Sequence, residues 1–206
     1  MKQEVLTIGK LQTLRNALAE ITNNPKLVIA GGAVRDILHG IPSQIRDIDV
    51  FVHVPDNEDP KSYMQHYVTS VTKANHTLFN GVDVEVRDRN PKINGEYGYY
   101  VQDVVINGYP PIQFIGRKFI PTVGSLLETF HVNVSKCAIN DLGLYVDSDA
   151  LSKSLRFVFP HTSLDDYIAD RESNERYVYK IVFKFNQYPV EVKHTFPPID
   201  AGALAW

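Results

Sequence analysis

Two carboxylates stand two positions apart at Asp47 and Asp49, and shortly upstream lies the run Gly31-Gly32-Ala33-Val34-Arg35-Asp36. Residues i and i+2 of a strand project to one face with Cα atoms about 6.5–7 Å apart, so Asp47 and Asp49 can converge on one small volume. Two like charges held that close favour a cation between them, and oxygen donors with open positions suit Mg²⁺, or Mn²⁺, shared with substrate phosphates. A pair of such ions about 3.5–4 Å apart serves both the attacking oxygen and the leaving group of an in-line phosphoryl displacement. The glycines let the backbone approach an anionic ligand without Cβ atoms in the way, and a helix start behind them favours negative charge. Arg35, in the first turn, can add a bidentate contact to a phosphate oxygen. Each feature also has an ordinary reading, the first as a tight turn with a surface Arg and the second as a solvated strand edge. Their succession is what points to a nucleotide site.

The elements that must position these residues can be read from the surrounding pattern. Leu27-Val28-Ile29-Ala30 is a short apolar run ending in the double glycine, which predicts a buried strand entering a tight turn. A helix over about 33–39 follows, stopped by Gly40 and Pro42, and then a strand over 47–52 whose first residues sit at the rim of a sheet. Upstream, Leu11, Leu14, Leu18 and Ile21 form one face of a helix over 10–21. Downstream, Asp59-Pro60 starts a helix with Met64, Val68, Val71 and Leu78 as its apolar stripe. Strands are expected over 82–86, 99–101, 104–106 and 112–115, with turns at Asn80-Gly81, Asn94-Gly95 and Asn107-Gly108. A short helix over 123–130, a strand over 132–139 and a hairpin at Asp141-Leu142-Gly143 complete this part. The last third reads as helical, over 163–169 and 174–185, with Tyr177, Ile181 and Phe185 on one face. The tail from Phe196 reads as irregular. The expected class is α+β, a mixed, mainly antiparallel sheet flanked by helices, with a short helical C-terminal region.

With 206 residues and 44% apolar composition, one domain can bury roughly 70% of the surface its unfolded chain exposes and needs no disulfide. The single Cys137 reads as a small core residue. No apolar run approaches about 18 residues and the N-terminus lacks a signal-peptide order, so a soluble cytoplasmic protein with no membrane partner is expected. Lys+Arg number 21 against 24 Asp+Glu, so contact with nucleic acid would need a local basic patch. The seven histidines form no i, i+4 pair and have no neighbouring Cys, which speaks against a structural zinc.

The stretch from Ile29 to Val50, carrying Gly31, Gly32, Arg35, Asp36, Gly40, Asp47 and Asp49, resembles the head-domain signature of class II CCA-adding enzymes and bacterial poly(A) polymerases. These belong to the polymerase-β-like nucleotidyltransferase superfamily, and the chain also looks like small stand-alone phage proteins of that type. The resemblance implies that Gly31, Gly32 and Arg35, with Asp36 beside them, hold an incoming nucleoside triphosphate. It also implies that Asp47 and Asp49 are catalytic and hold the metals. A weaker similarity covers 129–141, where the family has Arg-Arg-Asp and this chain has Thr129, Phe130 and His131. The superfamily's third carboxylate, on a neighbouring strand, has Glu85 and Asp103 as candidates, or Gln113 with no charge in its place. His131 stands where the family has an acid, and Arg176, Lys180 and Lys184 recur on the last helix near where the family carries Arg residues towards the nucleotide.

On this resemblance, 1–150 is a nucleotidyltransferase head, 151–195 a short neck-like helical extension and 196–206 an irregular tail. The implied activity is metal-dependent transfer of a nucleoside monophosphate from a nucleoside triphosphate to a hydroxyl acceptor. A length of 206 residues suits a head and short neck, not the RNA-gripping body of the tRNA enzymes. The acceptor stays open among a small molecule, a protein and an RNA end. The alternative is a catalytically reduced nucleotide-binding or structural module of the same fold, and a third reading is an unrelated α+β domain in which the two motifs coincide by chance.

Overall fold

Helix α1 (Ile8–Thr22) starts where the Thr7 side chain accepts the Lys10 N–H at 3.2 Å, and it stops at Asn23, which turns left-handed with φ 50°. Its predicted apolar face is realised, with Leu11, Leu14 and Leu18 fully buried. Buried Arg15 donates through Nε to the Leu27 carbonyl at 3.0 Å and through Nη2 to the Pro25 carbonyl, pinning the chain where it enters strand β1 (Val28–Ala30). Helix α2 (Gly32–Leu38) follows at once, then β2 (Ile48–His53) and α3 (Pro60–Lys73), where Asp59 accepts the Ser62 N–H at 2.9 Å. The remaining elements of this part are β3 (Val84–Arg87), β4 (Tyr99–Ile106), β5 (Ile112–Arg117), α4 (Val123–Glu128), β6 (Cys137–Asn140) and β7 (Gly143–Val146). This computed structural model describes residues 5–73, 84–87, 99–106, 109–118 and 122–196. The three Asn-Gly turns, Leu78 and the tail beyond Phe196 lie outside the described residues.

The seven strands form one sheet in the order β3-β4-β5-β2-β1-β6-β7. Within this sheet, among the described residues, only the β2–β5 pairing is parallel, and the α+β class with a mainly antiparallel, helix-flanked sheet is the observed one. The period-2 pleat divides the sheet into two faces. Ile29, Ile48, Val50, Val52, Val104, Ile112, Phe114, Cys137 and Ile139 point to one side and pack with α1 and α3 in the main core. Val28, Ala30, Phe51 and Ala138 point to the other, under Leu126 and Leu127 of α4. Asp49, Gln113 and Asp103 alternate with main-core residues on β2, β5 and β4, so they belong to this second face.

Gly116 shows how tightly the main core is filled. A Cβ there would lie 2.5 Å from Met64 Cγ, 2.6 Å from its sulfur and 3.2 Å from Val54 Cγ2, and Met64 is fully buried. Gly116→Ala is therefore expected to destabilise the protein by about 1–3 kcal/mol through overpacking. The check is a lower denaturant midpoint with an unchanged slope.

Contacts divide the chain into two units, Met1–Phe130 with Ser135–Leu151, and His131–Val134 with Ser152–Trp206. The second holds β8 (Leu155–Pro160), α5 (Leu164–Lys184) and β9 (Val190–Thr195). Strands β8 and β9 are parallel, so α5 is the crossover between them. Neither strand is anticipated in a helical C-terminal third, although Leu155, Phe157 and Phe159 are buried in strict alternation with outward residues.

Three element boundaries also differ from expectation. The strand over 132–139 is shortened to Cys137–Asn140, because Asn133 accepts the Arg156 N–H at 2.8 Å and donates to the Ser154 carbonyl at 3.1 Å, and residues Asn133–Ser135 make a 3-10 turn. The two strands expected over 99–101 and 104–106 are one, because β4 pairs without a break along β5 from Tyr99 to Val104. The two helical pieces of the last third are also one. No Gly or Pro interrupts 164–184. The i, i+4 pairs Arg171–Glu175 and Glu172–Arg176 carry the helix across the polar middle.

Candidate active site

The β1–β2 register sets Ala30 opposite Asp49, so the turn that follows Ala30 begins beside that carboxylate. Gly31 has φ +80°, where L-residues are strained, and its N–H donates to the Cys137 carbonyl at 3.2 Å. Its own carbonyl accepts the Arg35 N–H at 2.9 Å and starts α2. A Cβ on Gly31 would sit 3.6 Å from Asp49 Oδ2 and 3.5 Å from the Phe130 ring, which shows how closely the bare backbone approaches both. Asp47 directly precedes β2 and is half-buried, as is Asp49. The glycine turn and the Asp49 carboxylate therefore adjoin, with Asp47 two residues before it in the chain.

Across the sheet, Ala30, Asp49, Gln113 and Asp103 occupy one row on β1, β2, β5 and β4. Neighbouring strands lie about 4.8 Å apart, so Asp103 is roughly 10 Å from Asp49 between Cα atoms, with Gln113 between them. Both Gln113 and Asp103 are buried, at 9% and 5% exposure. Glu85 lies in β3 opposite Val105, and two ladder positions on, Arg87 pairs with Asp103. The position adjoining Asp49 is thus filled by a neutral amide, and the nearest acid along the row is Asp103.

Arg35 and Asp36 are committed to each other. The guanidinium Nε donates to Asp36 Oδ1 at 2.7 Å, Nη2 lies 2.6 Å from the same oxygen, and Nη1 donates to Ser135 Oγ at 3.0 Å. Their side chains are 5% and 1% exposed, so the pair fastens α2 to the segment entering β6. Gly32 stands next to it, where an added Cβ would lie 3.8 Å from Arg35 Nη2.

Cys137 is buried, and burial pushes its thiol up to about 12. In the folded protein it is expected to resist iodoacetamide at pH 8 and to react only on unfolding, which mass spectrometry of the alkylated chain would check. Because the folded value lies above the ordinary 9.0, this group's contribution to stability is complete below pH 9 and falls as pH rises towards 12.

Sequence reasoning passed over the aromatic edge of this face. Phe51 and Phe130 pack with ring centroids 5.8 Å apart, and the Arg117 guanidinium lies 5.7 Å from the Phe51 centroid while donating to Thr129 Oγ1 at 3.1 Å. The only sequence signal for Phe130 was its place in the weakly similar segment. Of the other candidates, His131 lies edge-on to Phe159 in the second unit, Arg176 pairs with Glu172 on the exposed face of α5, and Lys180 is exposed on the same helix.

Residues 8–156 match the model of the family described as Gabija anti-defense 2 family protein. The chain belongs to this family. No curated protein matches the sequence. Among solved structures it is similar to a Thermotoga maritima CCA-adding enzyme complexed with tRNA, with a TM-score of 0.54 and 17% identity over 92% of this chain. A CCA-adding enzyme in complex with ATP gives 0.58 and 17% over 89%, and the apo form of a tRNA-processing enzyme gives 0.54 and 18% over 88%. This Gabija anti-defense 2 member spans only 40%, 40% and 44% of those chains, respectively. At such identities the likeness shows a nucleotidyltransferase-like fold. The family match contains Gly31, Gly32, Asp47, Asp49, Asp103 and Gln113, and ends before α5. Among the described residues, no helix is long and apolar enough to cross a membrane.

Proposed function

We propose that this Gabija anti-defense 2 family protein is a divalent-metal-dependent nucleotidyltransferase. It moves a nucleoside monophosphate from a nucleoside triphosphate to a hydroxyl acceptor, and this transfer serves the anti-defence role its family name states. The observation that carries the reading is the closeness of the Gly31 backbone to the Asp49 carboxylate, since a Cβ added to Gly31 would lie 3.6 Å from Oδ2. It brings the glycine turn beside the second of the paired acids.

Asp47 and Asp49 offer half-buried carboxylate oxygens with no competing nitrogen or sulfur ligand in the pair, a donor set that fits Mg²⁺ or Mn²⁺. Bound there, the ion would supply charge neutralisation to the phosphates. The protein's own part is positioning. Gly31 and Gly32 present backbone without side chains, so that a triphosphate can lie close to the acids, and the buried Arg35–Asp36–Ser135 link holds α2 where the turn leaves it. In the reaction, the acceptor hydroxyl gives up its proton to water as its oxygen bonds to the α-phosphorus, the bond from that phosphorus to the α,β-bridging oxygen breaks, and pyrophosphate leaves. The likeness to enzymes solved with ATP and with tRNA supports nucleotides as one substrate and keeps an RNA end among the acceptors, beside a small molecule and a protein.

One observation favours a second reading, in which nucleotide is bound without turnover: neutral Gln113 adjoins Asp49 where an acid would complete the metal shell. The experiment is calorimetry with each nucleoside triphosphate and Mg²⁺, followed by transfer of α-labelled nucleotide to fractions of a host lysate. The enzyme reading expects metal-dependent label on an acceptor. The binding reading expects heat without labelled product, and gain of product in Gln113→Glu. Absence of both heat and label would overturn the two together.

A further inference from the structure

The second unit holds a cluster outside the proposed nucleotide site. His161 directly follows β8, and Asp166 and Asp170 lie one turn apart on α5, whose cap at Ser163 sets the first turn over the end of that strand. One ligand atom from each of the three lies within 4.8 Å of the other two. The His161 side chain is 1% exposed, and its Nδ1 has no hydrogen-bond partner among the described residues. That nitrogen faces Asp166 Oδ2 at 3.8 Å, beyond hydrogen-bond reach. An imidazole nitrogen left without a bond in so dry a place is costly unless something occupies the space before it.

The other side of the ring is arranged to suit a ligand at Nδ1. Nε2 lies 2.9 Å from His194 Nδ1, and that bond uses one proton. With the proton on His161 Nε2, His194 accepts it, and the lone pair of His161 Nδ1 is turned towards the two carboxylates. This is the outer-shell arrangement that fixes the tautomer and orientation of a metal-bound histidine. Tyr167 at 5.2 Å and Phe196 at 5.5 Å between centroids wall the ring. Asp166 keeps a hydrogen bond from the Thr162 N–H to Oδ2 at 2.7 Å, while exposed Asp170 is open to solvent.

We propose that His161, Asp166 and Asp170 bind one first-row divalent transition ion of the Zn²⁺ class, through Nδ1 and two carboxylates, with further positions left to solvent. Metal–ligand bonds of about 2.0–2.2 Å would draw the three groups together by small movements of the two aspartates. The ion ties the first two turns of α5 to the end of β8. This inference is independent of the nucleotide site, and its test is made on full-length protein carrying Asp47→Ala and Asp49→Ala, so that those carboxylates contribute nothing.

Zn²⁺ titration of that protein by calorimetry, with Co²⁺ as a spectroscopic probe, is expected to show one bound ion, a cobalt absorption band and a raised melting midpoint. Asp170→Asn, an exposed change that leaves packing alone, is expected to weaken Zn²⁺ binding at least tenfold, and His161→Gln to remove the cobalt band. A circular dichroism melt keeps loss of the band distinct from loss of the fold. No bound Zn²⁺ in the double variant, or binding that Asp170→Asn leaves unchanged, would overturn the proposal.

Discussion

Replacing Asp47 and Asp49 together with Ala is expected to lower metal-dependent transfer of nucleotide by about a thousandfold or more. Removing a single preorganised group that meets transition-state charge costs about 10²–10³ in rate, and here both carboxylates of the pair are lost. The same variant is expected to stay folded. Both residues are half-buried and neither belongs to the main-core side chains, so their truncation leaves the packed interior in place. Circular dichroism and a denaturant midpoint no lower than that of the parent would establish the fold. Transfer assayed with α-labelled nucleoside triphosphate, with and without a chelator, would establish the loss. Unchanged transfer in the double variant would refute the assignment.

Arg35→Met is expected to cost about 3–5 kcal/mol, because it takes the guanidinium away from the Asp36 carboxylate, which is 1% exposed. The total stability of a domain is about 5–15 kcal/mol, so the variant should sit near the edge of unfolding. The combination Arg35→Met with Asp36→Leu should recover much of the loss, since it removes both charges instead of one. Urea midpoints of the parent, the single and the double variant measure this cycle. If Arg35→Met keeps its midpoint and loses nucleotide binding instead, the guanidinium acts on the triphosphate, as the family resemblance implies.

The glycine turn and the paired acids are legible in the sequence because their information is local. A strand that ends in Gly-Gly and acids at i and i+2 depend on dihedral freedom and the pleat, both properties of a few adjacent residues. The apolar periodicity of α1 and α3 is equally local, and their buried residues fall where the spacing puts them. Strands β8 and β9 are not legible in the same way. Val190 to Lys193 are all exposed, so β9 carries no alternating burial pattern, and it is a strand only because α5 returns it to β8. Polar residues 170–176 resemble a break in the helix and are instead sustained by pairs one turn apart.

The sequence alone is enough for the class of fold and for the positions of the glycine turn and the paired acids along the chain, on which the proposed nucleotide site rests, since each depends on short-range spacing. Which residues stand beside those acids is a matter of strand order and register. The parallel pairing of β2 with β5 brings Gln113 next to Asp49 across more than sixty intervening residues, and the antiparallel pairing of β4 with β5 sets Asp103 one strand farther along. Arg35 is the same kind of case. As a residue type it suits a phosphate, yet Ser135, from a different element, and its neighbour Asp36 take up its donors in the interior. Long-range pairing decides such neighbours because the free energy that selects it comes from burying whole faces of the sheet, and no local stretch of chain contains that sum.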